Sequence, residues 1–378
     1  MGAVVDTVRD WAASGAVALT GRADGPPRLP PGRAAGRVRE QLATLGFEIP
    51  GVLGERAAYA GLRRRGPWSC GGAFRTMPTL DGHIGLSLAR PSDVELVPAL
   101  VEGAADDPWA AVAHWAAGCS SREADERIRL LDLPGGAVPA PSRTARPGVL
   151  TSVLGRRTVT AEPLVVDLTA LWAGPLCAHL LGLRGARVVK VESVQRPDGA
   201  RRGARDFFDL LHHGHEERVV DFDRDADRLR DLLRSADLVL EASRPRALRR
   251  LGISAEEIVA GGTSWLSITA RGRQSTAVGF GDDVASAAGL FVTEPGAPDL
   301  LPVGDAIADP LAGVAAAVAA TDALASAEAR LIDVSMLHVA AETLTHDAPE
   351  HAVVRRDSQW WIDYDGGSVR VREPRRRP

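Results

Sequence analysis

The chain has 378 residues, 45% hydrophobic and 25% charged, with 45 Lys plus Arg against 49 Asp plus Glu. The resulting net charge of −4 argues against a polyanion partner such as nucleic acid, and the length fits two or three domains of an ordinary soluble globular protein. Cys70, Cys119 and Cys177 are odd in number and lack C-x-x-C spacing, so neither a disulfide framework nor a structural zinc site is indicated, which fits a cytoplasmic setting.

Residues 1–66 are rich in Ala, Gly, Arg and Pro, with a loop-like G-P-P-R-L-P-P-G at 25–32 and a helical pattern from Arg37. Residues 67–138 read as a small α+β domain. In it, D-G-H-I-G-L-S-L-A from Asp81 is a turn feeding a strand, Ser92 or Asp93 caps a following helix, and two more helical patterns run over Trp109 to Ala117 and Ser121 to Leu131. A Pro/Arg/Ser-rich stretch marks 139–160 as a linker.

Over 161–340 short runs of Val, Leu and Ile (P-L-V-V-D-L, A-R-V-V-K-V-E, R-V-V-D-F, D-L-V-L-E-A, S-W-L-S-I-T) alternate with helical patterns. That alternation predicts an α/β fold, a doubly wound, Rossmann-like parallel sheet with helices on both faces. Residues 341–378 read as a hairpin and a solvated, arginine-rich tail. No stretch approaches the ~18 apolar residues of a membrane span and no signal-peptide pattern opens the chain, so membrane insertion and secretion are not expected.

Two places carry chemistry. The first predicted strand ends at T-A-L-W-A-G-P, 169–175, where Gly174 and Pro175 turn into a helix whose N-terminus can hold a phosphate. This is not a G-x-G-x-x-G fingerprint, so no dinucleotide cofactor is predicted. The second is P-V-G-D-A-I-A-D-P-L-A-G-V-A-A-A-V-A-A, 302–320, in which Ile307, Leu311, Val314 and Val318 form a helical stripe. Asp305 sits where an N-cap is expected, and Asp309 followed by Pro310 offers a competing helix start.

V-V-D-L-T-A-L-W-A-G-P-L-C-A-H-L-L-G-L-R-G-A-R-V-V-K-V-E, 165–192, resembles the opening of the class III CoA-transferases (CaiB/BaiF type), the group of formyl-CoA transferase, carnitine CoA-transferases and α-methylacyl-CoA racemase. The likeness continues in order through R-V-V-D-F-D, A-D-L-V-L-E-A-S-R-P, L-R-R-L-G-I, G-F-G-D-D-V-A-S-A-A-G-L, P-V-G-D-A-I-A-D-P and I-D-V-S-M. The resemblance implies that Asp305 is the catalytic carboxylate, attacking an acyl-CoA to give an anhydride and then an aspartyl-CoA thioester, from which a carboxylic acid takes the CoA. It implies CoA contacts from Leu171, Trp172, Ala173, Gly174, Ser193, Arg196, Phe222 and Arg250, with Gly71, Gly72 and Gly304 as glycine-loop or oxyanion candidates. CoA and acyl-CoA are then substrates, no cofactor is permanently bound, and a homodimer is the family habit.

The chain departs from the family in places. Glu217 stands where the family's CoA-side loop usually has Lys, and Ser193 replaces an Arg of formyl-CoA transferase. Gly279-Phe280-Gly281 replaces the racemase G-H-D, and a phenyl ring cannot exchange a proton. An acyl-CoA racemase, isomerase or dehydratase on the same scaffold, and a non-catalytic acyl-CoA-binding subunit, are the alternatives.

The chain also echoes itself. Residues 12–33 resemble 285–305, with Gly32-Arg33 falling where Gly304-Asp305 falls. We expect a fused and trimmed pair of family copies with the family's interlocked architecture: 1–66 the degenerate remnant of a first copy, 67–138 its small domain, 161–340 the CoA-binding and catalytic domain. His212, His213 and His215 read as a polar loop rather than a metal site, D-F-D-R-D-A-D at 221–227 fails the calcium-loop pattern, and Cys177 reads as a small buried residue.

Overall fold

The computed structural model describes residues 6–243, 245–344 and 348–377. The N-terminal segment forms helices Thr7–Ala13, Ala34–Thr44 and Glu55–Ala60. Next, β1 (Phe74–Pro78), β2 (His83–Ser87) and β3 (Gly135–Val138) make an antiparallel sheet in that order, covered by helices that include Pro108–Ala117 and Ser121–Leu130. Met77, Ile84, Leu86, Val112 and Ile128 close its own small core. The helix after β2 starts at Pro91. Its N-cap position is Arg90, not Ser92 or Asp93, and Asp93 reaches back to the Arg90 N–H at 2.9 Å.

The large sheet joins β4 (Val149–Arg156), β5 (Leu164–Asp167), β6 (Arg187–Ser193), β7 (Glu216–Val220), β8 (Leu238–Glu241), β9 (Ser264–Thr269) and β12 (Glu328–Ser335) in the order β4-β12-β9-β8-β5-β6-β7. All neighbours are parallel except β4, which runs antiparallel to β12. The expected linker is therefore partly wrong. V-L-T-S-V-L-G-R is β-branched and leucine-rich enough to pair with the β12 edge once that edge is next to it, and nothing local distinguishes it from an extended linker.

From β5 the chain winds outward through β6 and β7, then returns to the other side of β5 for β8 and β9. The topological switch point of the sheet thus lies beyond the carboxyl ends of β5 and β8, where open α/β sheets bind ligands. A short antiparallel ribbon, β10 (Phe291–Thr293) with β11 (Leu300–Pro302), delivers the chain to Gly304-Asp305.

The helix Ala308–Leu324 is the core of the molecule. It is buried on nearly all sides, not along a single stripe, because helices Ala173–Leu183, Ala34–Thr44 and Met336–Ala341 and the sheet surround it. Its alanines permit this crowding. The N-terminal segment therefore packs on this central helix itself. Gly32 (φ 69°) and Gly304 (φ 64°) share a left-handed conformation, and each leads within four residues into one of two helices that pack together.

The C-terminal end forms a three-stranded antiparallel sheet, β13 (His351–Arg356), β14 (Gln359–Tyr364) and β15 (Gly367–Arg370), not a two-stranded hairpin. The tail is docked, not solvated. Arg372 N–H donates to Ala12 O at 2.8 Å, and the Arg377 guanidinium grips both oxygens of buried Glu55 at 2.5 and 2.6 Å. Charge alone predicts a solvated tail; a buried carboxylate contributed by a segment more than 300 residues away gives it a partner. Among the described residues no helix is long and apolar enough to cross a membrane.

Candidate active site

A cleft of about 350 Å³ opens at the switch point. Leu168, Ala170, Leu171, Ala173 and Gly174 after β5, Ala242 and Ser243 after β8, and Thr269 and Ala270 after β9 form its walls; Phe280 and Asp309 complete it, and Arg90 enters from the small domain with its guanidinium 5.4 Å from the Phe280 ring centre. Leu171, Ala173 and Gly174 of the A-G-P turn thus line the cleft. Gly174 is required there, because a Cβ would collide with the Thr169 side chain.

A buried ion cluster shapes this turn. Leu171 adopts φ 71°, and its N–H is held by Asp198 Oδ1 at 3.0 Å. The other Asp198 oxygen pairs with Lys190 Nζ at 3.0 Å; the same ammonium bonds Thr169 O and faces Asp167 Oδ2 at 3.9 Å. Lys190 and both carboxylates are buried, and Lys190 is the single lysine in the chain. Asp198 lies on the loop after β6, so one cation ties together the two loops that sequence reading assigned to CoA.

The remaining predicted CoA contacts do not line this cleft. Ser193 closes β6 and bonds Gln195, Arg196 is exposed in the next loop, Phe222 packs against the outer core of the sheet, and Arg250 is exposed at the end of the Pro245–Arg250 helix. Trp172 is buried beneath the turn, with its ring 5.6 Å under the Arg56 guanidinium.

Asp305 does not cap the helix. That helix begins at Ala308, with Ile307 in the cap position, and Gly304 to Ile307 form a turn in which Ala306 has φ 42°. The Asp305 carboxylate has no exposed surface and is gripped by Arg56, Nε to Oδ2 at 2.9 Å and Nη2 to Oδ1 at 2.5 Å. The small-domain loop Ser69–Gly72 closes over the same place: Ser69 bonds Asp282, the Cys70 thiol reaches Gly304 O at 3.2 Å, and a Cβ on Gly71 would come within 4.0 Å of the Arg56 guanidinium. Gly72 instead abuts Arg65. Arg33, the counterpart of Asp305 in the internal echo, pairs with Glu40 instead.

Two more carboxyls face Arg56. Asp282 accepts the Ala306 N–H at 2.8 Å, and Asp309 accepts the Ala173 N–H. Gly281 permits this approach, since a Cβ there would strike both Ala306 O and Asp309 Oδ2. Burial, reinforced by Asp305, raises the pKa of Asp282 to about 6; burial, only partly offset by Arg56, raises that of Asp309 to about 7. Burial also lifts Asp283, which accepts from Ser87 Oγ at 2.8 Å, to about 7. Arg56 is raised against the effect of its own burial by the charge of Asp305.

These three carboxyls bind protons more readily in the folded than in the unfolded state. Their contribution to stability is full below about pH 4 and is lost as pH rises through about 6 to 7. Glu192 and Asp198 act oppositely: burial opposes their charge, but Arg201 and Lys190 hold them below the usual range, so their contribution is lost in acid. The melting temperature is expected to peak at about pH 5 and to fall toward pH 8. Asp283→Asn, which mimics the neutral carboxyl, is expected to flatten that decline. A thermal profile flat from pH 5 to 8 in the wild type contradicts the assignment.

Sequence reading missed Arg56, Asp282 and Ser69, and it saw Asp309 only as a helix start. His212 is buried and His215 half-buried, their rings 5.6 Å apart, and desolvation lowers them to about 3 and about 4; among the described residues no group of three or more potential ligands could hold a metal. The three cysteines are free.

Residues 161–360 match the model of CoA-transferase family III. The chain is similar to a succinyl-CoA–D-citramalate CoA-transferase of Chloroflexus aurantiacus, 27% identical over 50% of this chain and 51% of that protein. It is also similar to an acetyl-CoA:oxalate CoA-transferase of Acetobacter aceti, 32% identical over 25% of this chain and 26% of that protein. The chain spans about half the length of the first and about a quarter of the second. Among solved structures, a CaiB/BaiF family protein from Brucella suis aligns with a TM-score of 0.49 at 20% identity, over 55% of this chain and 66% of that one. The family match takes in more than half of the residues, and the chain belongs to CoA-transferase family III.

Proposed function

We propose that the protein is an enzyme that moves CoA from an acyl-CoA to a carboxylic acid through Asp305. The observation that carries this reading is the placement of Asp305 in the turn that leads, four residues on, to Asp309 in the wall of the switch-point cleft, and against the small-domain loop. The Asp305 carboxylate attacks the thioester carbonyl, forming a mixed anhydride and releasing CoA thiolate. The thiolate attacks the Asp305 carbonyl of the anhydride, leaving an aspartyl-CoA thioester and the donor acid. The acceptor carboxylate then attacks this thioester, and the released thiolate takes the new acyl group, restoring Asp305. Leu171, Ala173 and Gly174 hold the CoA end, while Ser193, Arg196, Phe222 and Arg250 serve the outer part of the nucleotide. The N-terminal segment and small domain act as a fused first copy, with homodimerisation in a cytoplasmic setting.

Phe280 in the cleft disfavours two-base racemisation. A non-catalytic acyl-CoA-binding role is favoured by one observation, the sealed and doubly bonded Asp305 carboxylate. Incubating the wild-type protein with a panel of acyl-CoAs and hydroxylamine, followed by peptide mass spectrometry, separates the two readings. A hydroxamate on Asp305 is expected. Acyl-CoA binding with no adduct across the panel turns the assignment to the non-catalytic reading.

A further inference from the structure

We propose that Arg56, on a segment outside the family match, is the anchor for the acceptor acid, occupied by Asp305 in the resting enzyme and by the acceptor carboxylate once Asp305 carries CoA. The inference rests on the transfer reading above and assigns its second substrate a place. The geometry is specific. The guanidinium presents Nε and Nη2 in a fork that already holds one carboxylate in two-point contact. Its face lies over Trp172. The helix that carries it is pinned by the neighbouring Glu55, whose two oxygens are held by Arg377, so the fork keeps its place when its partner changes.

Charge conservation supplies the rest. Aspartyl-CoA is neutral, so forming it removes the carboxylate that Arg56 bonds. Asp282 and Asp309 remain opposite the guanidinium, but Asp282 is committed to the Ala306 N–H and Ser69, and Asp309 to the Ala173 N–H. An unpaired guanidinium then borders the Asp305 carbonyl at the atom the acceptor must attack. A free carboxylic acid brings the same planar anion to that fork, within reach of the reacting carbon. The donor has no such need, because Asp305 itself fills the fork when the donor arrives. The order of binding follows: acyl-CoA first, acid second.

Two measurements test this. In Asp305→Ala, acetate titrated calorimetrically at pH 6 is expected to bind at least tenfold more tightly than to wild type, and adding Arg56→Gln should abolish the binding. Acetate binding no tighter than to wild type, or undiminished by Arg56→Gln, overturns the anchor. Should Asp305→Ala fail to fold, Arg56→Gln in the wild-type background carries the test. With acetyl-CoA or succinyl-CoA as donor, the hydroxylamine-trapped Asp305 adduct should persist within about threefold while the KM for succinate or oxalate rises at least tenfold, with partial recovery in Arg56→Lys. Loss of the adduct in Arg56→Gln places Arg56 in the first half-reaction and overturns the proposal. No adduct in wild type overturns the transfer reading instead, and the acetate titration still decides whether Arg56 holds a carboxylate.

Discussion

Asp305→Ala is expected to lower CoA transfer by at least about a thousandfold, the scale of losing a covalent nucleophile. Acyl-CoA affinity should stay within about twofold, because the lining of the cleft includes neither Asp305 nor Arg56. Among the described residues the carboxylate caps no helix, and both oxygens bond Arg56. Its removal leaves Arg56, whose side chain is 34% exposed, still facing Asp282 and Asp309, so the stability cost should stay near about 1–3 kcal/mol. Steady-state rates with thermal melts on the same preparation separate the two effects. A variant that keeps more than a tenth of the wild-type rate sinks the covalent route.

Lys190→Met is expected to cost more stability than Asp305→Ala. The ammonium is fully buried between Asp198 at 3.0 Å and Asp167 at 3.9 Å, and it also bonds Thr169 O. Methionine fits the volume but leaves two buried carboxyl groups without the cation between them. Breaking a buried pair this way costs about 3–5 kcal/mol, which lowers the melting temperature of a domain this size by about 10 °C. Function should suffer too: Asp198 fixes the Leu171 N–H, so the A-G-P turn loosens and CoA affinity falls. Differential scanning calorimetry and CoA titration measure both. A melting point within 2 °C of wild type would falsify the account of the cluster as the clamp between the two loops.

The parallel strands were legible because runs such as V-V-D-L and L-V-L-E are too short and too apolar for anything but buried strands. The A-G-P turn was legible from its chemistry, and the lone lysine in an arginine-rich chain was a signal available for the buried cluster that composition alone did not interpret. Arg56 was not legible. It lies in an Ala/Arg-rich helix 249 residues before Asp305, and no periodicity marks one arginine among many as the partner of a carboxylate so far along the chain. The strand at Val149–Arg156 and the docked tail were missed for the same reason, since each acquires its structure from a distant partner.

The amino-acid sequence by itself therefore determined the α/β class, the turn at the end of the first parallel strand and the glycine-acid step before the alanine-rich helix, because these follow from local apolar pattern and backbone geometry. Only the tertiary structure decided what that acid touches. It replaced a helix cap by a guanidinium from the N-terminal segment, placed Asp309 rather than Asp305 in the wall of the cleft, and raised Asp282 and Asp309 toward neutrality by burial. Electrostatic partners and desolvation depend on what folding brings within a few ångströms, and that is not a property of neighbours in the chain.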